Sequence, residues 1–265
     1  MPPAKKRARS YDPARTRAAV LAQLGHLRQA VGGLTPGQLA LPTRLGGLTV
    51  GELVAHIGEA VSDVGRAVAA PAPLRQDVQV VQWPSRSACG AAAADAGVRD
   101  LAARHPDPGA FLEEAERDLR GLLAAHPAGR LVRSDTGALP LDDYLVTRAV
   151  ELVVHTDDLN AAVPGLDVPC DRQALAAATR LLLDALALRA PGGTTEVRVP
   201  PYAVVQCVEG PRHTRGTPPN VVETDPLTWI RLATGRTSWS DALGRAEVSA
   251  SGERADLSQL LPLMD

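Results

Sequence analysis

Apolar positions in the first part of the chain recur at three- and four-residue intervals, the spacing of helices with one buried face. Val20, Leu21, Leu24 and Leu27 mark such a face, and Asp12-Pro13 ahead of them supplies an N-cap and a first-position proline. This predicts a helix to about residue 31, ended by Gly32-Gly33. Residues 35–41 read as a short helical turn. Thr49-Val50-Gly51-Glu52 is a capping box that opens a helix to about residue 69. Leu53, Ile57, Ala60, Val61 and Val64 form its core face, with His56 at the edge. The proline-containing stretch 71–84 predicts a loop or a short extended piece. Helical spacing resumes over about 89–104, 108–125 and 139–162.

The pattern changes after Val163-Pro164-Gly165-Leu166-Asp167-Val168-Pro169. Asp171 can cap a leucine-rich helix to about residue 189. Residues 194–199, 203–208, 221–224 and 246–250 are short alternating or β-branched runs bounded by Pro and Gly, which read as strands. Asp225-Pro226 repeats the cap-plus-proline signal and starts a helix to about residue 235. Residues 211–220 read as a loop, 251–252 as a turn and 255–261 as a final short helix. The expected organisation is a disordered basic tail over 1–10, a helical bundle over 11–163, and a mixed α+β domain over 170–265. That domain should carry a small, largely antiparallel sheet.

With 45% hydrophobic residues the chain can bury a substantial core, and a net charge of −2 argues against general nucleic-acid binding. No apolar run reaches the roughly 18 residues of a spanning helix, so membrane insertion is not expected. Cys89, Cys170 and Cys207 are odd in number and widely spaced, which suits a reducing cytosol rather than a disulfide framework. A cytoplasmic monomer or homodimer is the expectation.

The candidate chemistry lies in 139–162. Tyr144, Arg148, Glu151, His155 and Asp158 follow one another at three- and four-residue steps, so they share one helix face. The other positions are mostly Leu, Val and Ala, the composition of a buried helix. A buried polar stripe needs partners or a metal, and it is better placed lining a cavity than facing bulk water. Glu151 and His155 are spaced i,i+4, so two ligand side chains can converge. His56 offers a third from a facing helix. Two nitrogens and one carboxylate leave positions open for water or substrate, as catalytic sites do, and suit zinc, nickel, iron or manganese. His26, His105, His126 and His213 have no partner at ligand spacing. Glu52 and Glu59 could support His56, but a capping role and a solvated face account for them. Asp142 and Asp143 favour the helix N-terminus, and Asp157 is expected to face solvent.

Two segments also carry a resemblance. L-T-V-G-E-L-V-A-H-I, 48–57, and R-A-V-E-L-V-V-H-T-D-D-L, 148–159, resemble the metal-site motifs of the mycothiol-dependent maleylpyruvate isomerase family, a branch of the DinB-like metalloenzymes. D-P-L-T-W-I-R-L-A-T-G-R, 225–236, and the C-terminal A-E-V-S-A-S-G-E-R-A-D-L-S-Q-L-L-P-L are similar to that family's sterol-carrier-like domain. Leu48 stands where the family usually has Trp. The resemblance implies an α+β protein: a DinB-like four-helix bundle followed by a small α/β sterol-carrier-like domain. It implies metal ligation by His56, Glu151 and His155, with zinc the first candidate, and polar roles for Arg148 and Asp158 beside a mycothiol cofactor. The implied activity is isomerisation or thiol transfer on a small electrophilic substrate. Substrate carboxylates would need a cation. Arg148 is one candidate, and Arg236 is another, unless it caps its own helix. The alternative is a carrier that holds an apolar small molecule in its C-terminal domain, with a structural or vestigial metal site.

Overall fold

The computed structural model describes residues 9–87, 91–210 and 219–264. Residues 1–8 of the expected 1–10 tail, Cys89 and most of the 211–220 loop lie outside them; Arg9, expected in the disordered tail, is instead held by an ion pair to Asp184. Four long helices build the first half: α1 (Pro13–Val31), α3 (Val50–Ala69), α6 (Pro108–Ala125) and α7 (Leu141–Ala162). Between them lie the short α2 (Pro36–Leu39) and α4 (Trp83–Ser87), and α5 (Ala91–Arg104). Helix α3 packs against α6 and α7, and α1 against the same two.

The caps form as the sequence predicts. The Asp12 carboxylate accepts a hydrogen bond from the Arg15 amide at 2.8 Å. The capping box closes at both ends of its ring, with Thr49 accepting from the Glu52 amide and Glu52 from the Thr49 amide. Leu53, Ile57 and Val64 are buried on α3, each worth roughly 1.5–3 kcal/mol of apolar transfer. That burial fixes the rotation of α3 and holds His56 at the margin of the core.

Two stretches depart from the sequence reading. The 71–84 segment contains a 3-10 turn (Val80–Gln82) and runs into α4, anchored by the buried Trp83. The stripe helix starts at Leu141 rather than 139, because the residues before it form a hairpin. Strands β1 (Leu131–Ser134) and β2 (Gly137–Pro140) pair antiparallel from Leu131↔Pro140 to Ser134↔Gly137. Gly137 sits at φ +136°, where a Cβ would lie 2.6 Å from an Asp77 carboxylate oxygen. That oxygen instead accepts the Ala138 amide at 2.5 Å, tying the hairpin to the preceding loop. Four-residue strands are too short to show alternation above background.

Helix α8 (Arg172–Arg189) follows and packs on α7 and α1. Strands β3 (Thr195–Val199), β4 (Ala203–Cys207), β5 (Val221–Thr224) and β6 (Val248–Ser251) make a sheet of order β4-β3-β5-β6. β3 and β5 run parallel, and the two outer pairs are antiparallel. Helix α9 (Pro226–Ala233) packs on α8. A short helix α10 (Trp239–Gly244) was not expected; six residues give no helical period to read. The expected 255–261 helix is reduced to a 3-10 turn, Ser258–Leu260. No described helix is long and apolar enough to cross a membrane. The chain therefore has a helix-rich first half and a small sheet domain after it.

Candidate metal centre

The stripe on α7 folds as one face. Tyr144, Arg148, His155 and Asp158 are buried, and Glu151 is half-buried. His56 on α3 meets it. The ligand atoms of His56, Glu151 and His155 all lie within 4.8 Å of one another. His56 Nε2 is 3.9 Å and His155 Nε2 3.8 Å from the same Glu151 oxygen, Oε2. The two rings stand edge to face, centroids 5.1 Å apart. Two ligands bound tetrahedrally at zinc distances lie about 3.4 Å apart, so this set fits a divalent ion after shifts of a few tenths of an ångström.

Each ligand is prepared by its surroundings. Burial, with the facing His155, pushes His56 down to about 4, so near neutral pH its ring is uncharged and keeps the lone pair a metal needs. Burial alone would push the Glu151 carboxyl up. Arg148, His155, His56 and Arg236 outweigh it and hold the group below the ordinary carboxylate range. His155 Nδ1 is 3.0 Å from Asp158 Oδ2. A carboxylate only accepts, so Nδ1 carries the proton and Nε2 is left free on the Glu151 side.

Asp158 is fully buried and its two oxygens are crowded with donors. Besides His155 they accept from Arg44 Nε at 2.6 Å and from Arg236 Nη2 at 3.1 Å. Its carboxyl stays well below the usual range although burial opposes this, because the hydrogen bonds and charges of His155 and Arg236 favour the ionised form. Arg236 also donates to the Thr234 carbonyl at 2.7 Å, so it caps the end of α9 and reaches the metal face at once. The capping reading of Arg236 is present, and its remaining donors go to Asp158; it does not line the cavity that borders Glu151.

Asp157, expected to face solvent, is buried between Arg44 and Arg231. Arg231 on α9 grips it through two nitrogens, Nε to Oδ2 at 3.0 Å and Nη2 to Oδ1 at 2.5 Å. The reason is topological: here α7 is covered on one side by the loop before α3 and on the other by α9, so it has no solvent face. Arg44 and Arg231 were missed by sequence reading. The only signal was the Asp157-Asp158 pair itself, two adjacent charges in an apolar helix that must find cations.

Arg148 lies on the outer side of the centre. Its Nη2 is 3.5 Å from Glu151 Oε1, its Nη1 donates to the Ala60 carbonyl at 3.3 Å, and its guanidinium sits 4.8 Å above the Tyr144 ring. A cavity of about 480 Å³ opens here, lined in part by His56, Glu151, Arg148, Tyr144, Trp83 and Arg133. The β1–β2 turn and α3 form its walls, and Arg66 stands at its edge. The cavity has the size of a small-molecule site, and its charged lining is mixed: Arg66, Arg133 and Arg148 stand with Glu59, Asp63, Asp135 and Glu151. Glu52 is held by its capping box, and Glu59 pairs with Arg66 at the surface. Burial pushes the thiols of the half-buried Cys170 and the buried Cys207 up to about 11, so neither is a ready thiolate.

Comparison with known proteins places the chain in a family and a fold. Residues 7–160 match the family model described as the mycothiol maleylpyruvate isomerase N-terminal domain. Residues 171–263 match one described as a bacterial SCP ortholog. No curated protein matches the chain in sequence. Among solved structures, a mycothiol-dependent maleylpyruvate isomerase aligns with a TM-score of 0.61 at 15% identity. A histidine-to-alanine mutant of such an isomerase aligns with a TM-score of 0.59 at 14% identity. Each alignment covers 93% of this chain and 95% of the other. At that identity the likeness is one of fold. The family match spans more than half of the chain, and on it the protein belongs to the mycothiol maleylpyruvate isomerase N-terminal domain family, here joined to a bacterial SCP-type C-terminal domain.

Proposed function

We propose that this chain is a metal-dependent enzyme that brings a low-molecular-weight thiol, mycothiol, to a small electrophilic substrate for isomerisation or thiol transfer. The observation that carries the reading is the convergence of His56, Glu151 and His155 beside a cavity of small-molecule size. A divalent metal held by these three, zinc first among the candidates, supplies a Lewis acid that favours the thiolate form of a nearby sulfur. The thiol comes from outside, since Cys170 and Cys207 are held protonated near neutral pH.

The chain's own residues set the rest. Arg148, buried and kept charged by Glu151 and Tyr144, offers donors to a substrate carboxylate at the cavity wall. Asp158 and Arg236 act behind His155, fixing its orientation. For a conjugated substrate the sulfur adds to one alkene carbon while the electron pair moves onto the conjugated carbonyl. Rotation about the resulting single bond and C–S cleavage give the other geometric isomer and return the thiol. The solved isomerases of this fold suggest maleylpyruvate as the first substrate to try.

The test measures metal per chain by mass spectrometry and the mycothiol-dependent isomerisation rate, for the wild type and for His155→Ala. One divalent ion per wild-type chain is expected, with metal and rate both lost in the variant. Ala has the best helix propensity, so α7 should keep its structure. A variant that loses its metal yet keeps the full rate would overturn the reading, as would a metal-loaded wild type with no thiol-dependent activity on any conjugated acid.

A further inference from the structure

Tyr144 faces the metal cavity, but its neighbour Asp143 faces another. A groove of about 700 Å³ lies between the start of α7, the 3-10 turn at Val80–Gln82, helix α8 and edge strand β4. No residue that lines it also lines the metal cavity. Its walls are apolar: Val80 and Val81 on one side, Leu181 and Leu188 on α8, and Val204 on β4. Leu188 and Val204 are each more than half exposed, and they are two of the four large hydrophobic side chains exposed in the described structure. Apolar groups left open in one concave place, at the volume of a small-molecule pocket, mark a binding groove more than ordinary surface.

The polar groups in the groove choose the ligand. Arg9 and Asp184 satisfy one another, Nε to Oδ2 at 2.7 Å and Nη2 to Oδ1 at 3.2 Å. Two groups remain. The Tyr11 hydroxyl is buried and has no hydrogen-bond partner. Asp143 is half-buried and forms no hydrogen bond or ion pair among the described residues, while its neighbour Asp142 is taken by Arg17 and the Gly129 amide. A desolvated carboxylate without a partner is costly, and a cation is its natural complement. Arg9, Asp184 and Asp143 leave the groove with one net negative charge.

We propose that this groove is a second ligand site, independent of the metal centre, and that it takes an apolar amine, the ammonium at Asp143 and the hydrocarbon along Leu188 and Val204. An alkyl carboxylate of the same length would meet Asp143 with like charge and should be refused.

The test uses octylamine, octanol and octanoate, titrated by calorimetry into the intact protein below micelle formation. The amine should bind best, roughly three- to tenfold tighter than the alcohol, as one partly screened ion pair allows. Octanoate should bind worst. Asp143→Asn should remove the amine's advantage and leave octanol binding as it was. Val204→Arg, at an exposed edge position, should weaken all binding without unfolding the chain, which a thermal melt checks. Equal affinity for the three, no binding up to millimolar concentration, or amine binding that survives both substitutions would overturn the assignment.

Discussion

His155 Nδ1 and Asp158 Oδ2 stand 3.0 Å apart, one helical turn from each other on α7. The pairing leaves His155 a single tautomer and a single free nitrogen, directed to the side where His56 and Glu151 meet it. Asp158→Asn keeps the shape but removes the charge, so the hydrogen bond that orients the ring is weakened. Divalent-metal affinity should fall about ten- to hundredfold, read by competition with a coloured chelator. An unchanged affinity would show that Asp158 serves the domain contact alone.

Asp157 and Arg231 join α7 to α9 through a two-pronged contact. In a double-mutant cycle, Asp157→Ala and Arg231→Ala should show a coupling of about 1–2 kcal/mol, reduced from a fully buried value because Arg231 is one-third exposed. Asp157→Ala should cost more than Arg231→Ala, since it also removes one of the two carboxylates that hold Arg44. Denaturant melts of the four proteins give the number, and additive effects would show that the pair contributes nothing.

Gly58 lets α3 lie against α6. A Cβ there would come within 2.7 Å of the Phe111 ring, two residues from His56. Gly58→Val should destabilise the fold by about 1–3 kcal/mol through overpacking, although it gains helix propensity. Adding Phe111→Leu should recover part of that loss. If Gly58→Val melts at the wild-type temperature, the two helices are less tightly seated than their spacing indicates.

Glu116 on α6 accepts from Arg28 at 2.6 Å and Arg120 at 2.7 Å. Burial pushes its carboxyl up, but the two arginines prevail and hold it below the ordinary value of 4.5. A depressed folded pKa stabilises the protein above the unfolded value, and that contribution disappears as pH falls through the folded one. Glu116→Gln should therefore cost about 1 kcal/mol or less at pH 7, both arginines being well exposed. Near pH 3 the difference from wild type should shrink. A constant difference between pH 7 and pH 3 would remove the ion pair as its cause.

Much of this molecule is legible in the sequence, for local reasons. The caps at Asp12, Thr49, Asp171 and Asp225 depend on neighbours within three residues, and all four side chains accept the amides they are spaced to reach. Glu151 and His155 converge because helical geometry obliges them to. His56 could be assigned only to a core margin, since its distance from them depends on how α3 and α7 pack. The illegible parts are short or long-range. The β1–β2 hairpin has four-residue strands, and α10 has six residues, so neither displays a period. Arg44 and Arg231 lie 113 and 74 residues from Asp157, and no local pattern announces such partners.

The three arginines gathered on Asp157 and Asp158 bear on how this architecture can be recombined. A chimera carrying another sterol-carrier-type domain behind this bundle would inherit two buried carboxylates with their cations missing on one side, unless the graft brings equivalents of Arg231 and Arg236. The join is thus a matched lock rather than a neutral hinge. Swaps that respect it should fold, and swaps that ignore it should disturb the metal face even though the seam contains no ligand.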